Sequence, residues 1–186
     1  MGFSTSWIAV KGKSKEEVLA QLGLVDKGTA DTAREEAMSG AQLPGGVYLI
    51  SFNTRAIHKM VSDEVLLPLS SGCEVLGCVV DENYMLSGAF MNVDGVIVWD
   101  IAHYPKEYKD QLEVEGTPPP VFDTIRAQVQ AAQDEADDDG VDHTFDIPIL
   151  LAESMAGYRH DRLALATGEE PVFTKLVRKT SRKKAA

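Results

Sequence analysis

Within Gly157-Tyr-Arg-His-Asp-Arg162 stand a phenol, an imidazole, a carboxylate and two guanidinium groups. His160 beside Asp161 supplies the residue types of a general base and its orienting carboxylate. Arg159 supplies those of an anion clamp, and Tyr158 a further polar group. Such a set would suit a small hydrolase or transferase. Adjacent residues seldom face one another, so this set needs partners from elsewhere, and His103, Tyr104 and Glu153 are the residues of the right kind. The same turn also has a purely structural reading, in which its cationic side chains answer the dipole at a helix C-terminus.

A second set lies in Asp134-Glu-Ala-Asp-Asp-Asp-Gly-Val-Asp-His-Thr-Phe-Asp146, with seven carboxylates in thirteen residues. Aligning Gly140 with the glycine of a helix-loop-helix calcium loop makes Glu135, Asp137 and Asp139 the first ligands and Asp146 the last. Three defining positions depart from that pattern. Glutamate opens the loop where aspartate belongs, Asp142 stands where an apolar residue pins the loop, and the closing acid is the shorter aspartate. The stretch therefore reads first as a solvated connection between two helices. A recognition surface comes second and a calcium loop third.

No other motif names a reaction. The histidines at 58, 103, 143 and 160 show neither HxH nor HExxH spacing, so zinc has no signature here. GxSxG, P-loop and GxGxxG patterns are absent, and Gly45-Gly46 precedes a strand rather than a helix. No cofactor is expected. Phe90, Trp99 and His103 read as core residues of one strand pair.

Charge is placed unevenly. The chain carries a net −11, yet residues 175 to 186 hold six basic and no acidic side chains, leaving 12 basic against 29 acidic residues in the remainder. An acidic body repels nucleic acid and anionic membranes, so neither is an expected partner. A basic protein is the partner it suits. The expected function is thus a non-enzymatic protein-binding domain, of which an inhibitory or toxin-neutralising role is one form. Residues 179–186 read as a basic, disordered tail and residues 1–178 as a single domain.

The compartment expected is cytoplasmic. MGFSTSWIAV lacks a basic region followed by an apolar one, and the longest apolar runs, such as Ile149–Ala152, are far too short to span a bilayer. Met1-Gly2 with Ser6 formally matches a myristoylation pattern, but a strand beginning at Trp7 is the preferred reading. Cys73 and Cys78 fall on one strand at an odd separation, which points them to opposite faces, about 16 Å apart. They read as buried, reduced thiols.

The elements that must position these groups form an α+β domain: an N-terminal βαβ-like unit, a central antiparallel β-meander and two C-terminal helices. Trp7-Ile-Ala-Val-Lys-Gly12, an apolar run ending in glycine, reads as the first strand. Ser14-Lys-Glu-Glu17 is a capping box, and Gly23 stops the helix it opens. Residues 25 to 42 are polar, with one weak helical turn expected over 33–38, before the buried strand Val47–Phe52. Asp94-Gly95 predicts a two-residue hairpin, because both turn positions need positive φ. Counting outward pairs Val93 with Val96, Met91 with Val98 and Phe90 with Trp99, which puts Leu86, Phe90, Ile97, Trp99 and Ile101 on one face and expects cover on both. Val121, Phe122, Ile125 and Val129 mark one helical stripe. Asp146 is expected to cap a second helix, with Pro148 in its first turn and Gly157 at its end.

Overall fold

In the computed structural model, which describes residues 2–53, 58–105, 112–135 and 141–179, the first strand, β1 (Ser4–Lys11), is buried on both faces. Successive strand residues point to opposite sides. Trp7 and Ala9 enter one hydrophobic cluster and Ile8 and Val10 another. β1 is accordingly central. It pairs with β4 (Val47–Phe52) on one side and β5 (Glu74–Asp81) on the other.

Nine strands of the described residues make one antiparallel sheet. The others are β2 (Leu24–Ala30), β3 (Met38–Leu43), β6 (Leu86–Val93), β7 (Val96–His103), β8 (Leu112–Gly116) and β9 (Thr174–Arg178). Their order is β2-β9-β3-β4-β1-β5-β6-β7-β8, so β5 to β8 form the expected meander. The helices α1 (Lys15–Leu22) and α2 (Asp63–Leu69) cover one face, and α3 (Val121–Glu135) and α4 (Asp146–Ala156) cover the other. Among the described residues no helix is long and apolar enough to cross a membrane.

Local chemistry accounts for several boundaries. The Ser14 hydroxyl accepts from the Glu17 amide while the Glu17 carboxylate accepts from the Ser14 amide, and Gly23 ends α1 in the left-handed region. Asp94 and Gly95 both take positive φ, as the hairpin between β6 and β7 requires. Cys73 and Cys78 are buried and free, in opposite clusters. Burial pushes the Cys78 thiol up to about 12.

Four local expectations are corrected. Residues 25 to 42 supply β2 and β3, and no helix occurs over 33–38. Both strands find their partners far away in sequence: β2 pairs with β9 and β3 lies between β9 and β4. β9 also takes Lys175 to Arg178 out of the basic run, and Lys175 pairs with Glu36 at 2.8 Å.

The hairpin register slips by one. Val93 opposes Val96 and Asn92 opposes Ile97, but Met91 then opposes Trp99, leaving Val98 as the extra residue of a bulge. The Val98 carbonyl accepts instead from the Thr117 amide at 3.1 Å. A bulge re-aims every side chain beyond it. Trp99, Ile101 and His103 are therefore buried beneath α3 and α4, while Phe90 and Leu86 pack on the opposite face. Nor is the hairpin covered throughout: Val96, Ile97 and Val98 are exposed. Finally, Asp146 is the first residue of α4 rather than its cap, and no side chain caps that helix end.

Candidate functional site

α4 stops at Gly157, whose φ of 67° lets its amide bond back to the Glu153 carbonyl at 2.7 Å. That reversal carries Tyr158 to the sheet. The phenol ring is buried, edge-on to Trp7 at 5.3 Å and tilted against Phe173 at 5.9 Å. Its hydroxyl is hydrogen-bonded to Ser51 of β4 and to Arg34, and burial holds the phenol above its ordinary range.

Arg159 turns the other way. Its guanidinium lies 2.8 Å from Asp161, 3.4 Å from Asp146 and 3.8 Å from Glu153, while Arg162 reaches Glu153 at 2.6 Å. Arg159 thus fastens the turn to both ends of α4 and is matched by acids. Asp161, the carboxylate that would orient His160, accepts from Arg159 instead.

His160 is left alone with its ring edge-on to Phe3 at 5.0 Å. Both of its ring nitrogens are buried, and no described protein group bonds to either. Burial pulls its pKa below the ordinary histidine value, outweighing the Asp161 charge, and so favours the neutral ring. An imidazole nitrogen without a partner costs about 1–3 kcal/mol when shut away from solvent.

Tyr158, His160 and Asp161 line a cleft of about 220 Å³ together with Phe3, Arg34 and Ser51. Arg34 sits between β2 and β3 with φ 53° and is held from several sides. Its Nη1 donates to the Arg162 carbonyl at 2.6 Å and its Nη2 to the Leu163 carbonyl at 2.5 Å. The guanidinium also lies 5.5 Å from the Tyr158 ring and 4.7 Å from that of Phe173. Among the described residues no carboxylate forms an ion pair with it. The sequence reading missed Arg34 because only the pairing of β3 with β4 and β9 brings residue 34 beside residue 158.

Glu153 and Arg159 face each other outside the cleft, and Trp99 and His103 belong to the core. His103 Nδ1 lies 3.0 Å from the Met85 carbonyl, to which it must donate, and Nε2 lies 3.3 Å from Asp142 Oδ2. A residue of the acidic stretch is thereby tied to the end of β7. Of the calcium set, Glu135 is the last residue of α3 and Asp146 faces Arg159, whereas Asp137 and Asp139 lie outside the described residues. Among the described residues, no group of three or more histidine, cysteine or acidic side chains is placed to hold a metal ion.

A second surface was not foreseen. β8 is an edge strand, and its register sets Glu115 opposite Asp100 and Glu113 opposite Ala102, all on the α2 side. Like charges directly opposite destabilise a sheet. Burial, then Glu115, then Asp63 at the start of α2 push the Asp100 carboxyl up to about 6. None of these carboxylates is paired with a cation of the described residues. Val96, Ile97 and Val98 lie exposed at the start of β7, and Val114 on β8.

No family model, no curated protein and no solved structure matches this chain. The two surfaces differ in kind. The cleft is small, concave and lined by an unpaired cation, whereas the β7–β8 edge is open, acidic and partly apolar.

Proposed function

We propose that this protein is a non-enzymatic binding domain whose β7–β8 edge engages a basic protein, in an inhibitory or toxin-neutralising manner. The observation that carries this reading is the facing pair Asp100 and Glu115, held together without a described cation. A lysine or arginine brought by a partner would relieve that repulsion, so association gains what folding loses. Val96, Ile97 and Val98 are exposed at the start of β7, and Val114 is exposed on the other face of β8 from the acids. Exposed apolar side chains near unpaired charge are a composition that protein interfaces use. Among the described residues β8 is paired on one side only, which leaves a backbone edge to which a partner strand could add.

A net charge of −11 disfavours nucleic acid and anionic membranes as partners. The setting we assign is the cytoplasm, where the free thiols of Cys73 and Cys78 stay reduced. The test is affinity capture from the native cell at low and high salt, using the wild-type chain and the folded double variant Asp100→Asn/Glu115→Gln. A stoichiometric basic protein, recovered at low salt and lost both at high salt and with the variant, is the expected result. Recovery of no partner at either salt would overturn the function. A partner held equally well by the variant would overturn its placement on this edge.

The hydrolase or transferase alternative has one observation in its favour: His160 lines the cleft with its ring nitrogens unengaged. It requires a nucleophile that His160 can deprotonate. A screen of ester and phosphoester substrates against wild type and His160→Gln tests it, and activity equal in the two would remove His160 from any such role.

A further inference from the structure

The cleft stands on β1 and β4, three strands from β7, and owes nothing to the acidic edge. We propose that it binds a small molecule bearing one oxyanion group, a carboxylate or a phosphate, with the anion against Arg34 and a hydrogen-bonding group of the same molecule against His160.

Charge accounting singles out Arg34. Of the charged side chains lining the cleft, Asp161 is taken up by Arg159 and Arg162 by Glu153. The Arg34 charge is not neutralised among the described residues, where its partners are two backbone carbonyls, the Tyr158 hydroxyl and two aromatic rings. These contacts do not saturate a guanidinium, which has five N–H donors in a rigid plane. They fix that plane in advance, so an oxyanion meets a cation that has little left to order.

Hydrogen-bonding accounts for the second contact. Thr5 donates towards the Phe52 carbonyl and Asn53, and the Asn53 amide donates to the Arg34 and Glu36 carbonyls. Those groups are occupied in shaping the wall. His160 is not, and a neutral imidazole offers one donor and one acceptor. The His160 nitrogens are closed to solvent in the free structure, so a ligand hydroxyl or a second anionic oxygen reaches them as the ring turns towards the cleft, where Phe3 and Leu163 supply apolar walls. The volume of about 220 Å³ is below the roughly 300–1,000 Å³ of sites for drug-sized ligands, so the ligand is small.

The test uses the full chain labelled at its four histidines and followed by NMR, with inorganic phosphate and acetate as probes at constant ionic strength made up with chloride. The His160 ring resonances should shift saturably with at least one probe below about 100 mM, while those of fully buried His103 stay in place. Which probe saturates first separates phosphate from carboxylate ligands. The pH midpoint of His160 should rise when the anion is bound. Arg34→Gln should weaken binding by about tenfold or more. If that variant loses its fold, Arg34→Lys replaces the planar fork with a point charge and should still weaken binding severalfold. A His160 that responds to neither probe, or equally to chloride, overturns the proposal. So does saturable binding that is unchanged in whichever of the two variants is folded.

Discussion

Replacing Asp100 by asparagine should stabilise this protein, and the gain should depend on pH. The Asp100 carboxyl lies on β7 opposite Glu115 and is pushed from 3.8 up to about 6 by burial, Glu115 and Asp63. Because the folded value is raised, the folded state holds the proton more tightly than the unfolded state. Stability therefore falls as pH rises between about 4 and 6, and the whole penalty is present above about pH 6. Taken without screening, that difference corresponds to about 3 kcal/mol. The carboxylate is near an open strand edge, where solvent screens much of it, and about 1–2 kcal/mol is the expected remainder. Asparagine keeps the shape and cannot ionise. Urea unfolding followed by the fluorescence of Trp7 and Trp99 should show Asp100→Asn more stable by that amount at pH 7.5, with the curves converging near pH 4. In thermal melts the gain would be roughly 2–8 °C. A variant no more stable at pH 7.5, or stabilised equally at pH 4, would refute the account of a carboxylate destabilised by burial and by like-charged neighbours. The same substitution should weaken capture of a basic partner, which separates this residue from one kept for stability.

Gly77 lies beneath Phe90, and a Cβ there would enter the aromatic ring. Gly77→Ala should cost about 1–3 kcal/mol in urea unfolding, and a cycle with Phe90→Ala should show positive coupling. Asp142→Asn would let an amide N–H donate to His103 Nε2, to which no described group hydrogen-bonds, and should leave stability unchanged or raise it by about 1 kcal/mol in the same assay; a loss of that size would mean that the carboxylate itself is required. Thermal melts in millimolar calcium and in chelator should coincide, since Asp146 faces Arg159 and Asp142 faces His103. A calcium-dependent rise would overturn that expectation.

What the sequence discloses here is whatever is decided within a few residues. The capping box at Ser14, the left-handed stop at Gly23 and the Asp94-Gly95 turn each depend on neighbours along the chain, and each forms as expected. β2, β3 and β9 do not have that property. Met38-Ser-Gly-Ala-Gln-Leu43 shows no clear apolar alternation, in part because Gly40 must leave room for the Tyr48 hydroxyl. Its strand character comes from β4 and β9, and β9 is more than a hundred residues away. The bulge at Val98 is equally silent, because one unpaired residue leaves the apolar content of the strand unchanged while reversing every face beyond it. For the same reason the turn at Tyr158 was legible as a set of reactive groups but its cation was not. Arg34 reaches it only through sheet pairing.

Where the negative charge is unpaired among the described residues also differs from where it is most concentrated along the chain. In the stretch from Asp134 to Asp146, two of the carboxylates already face cationic or imidazole groups of the protein itself: Asp142 faces His103, and Asp146 faces Arg159. Carboxylates engaged in this way have less to offer a partner, since a new cation must first displace the old one. Asp100, Glu113 and Glu115 have no such engagement with described residues and are held close to one another by strand register. Register holds their backbones in place, and among the described residues no cation relieves their repulsion, so protonation or a cation from outside would do so. Below about pH 6 Asp100 takes the proton, and above it the edge is poised for the cation. Association through this surface should therefore strengthen as pH rises through 6, in the direction opposite to the stability of the free protein.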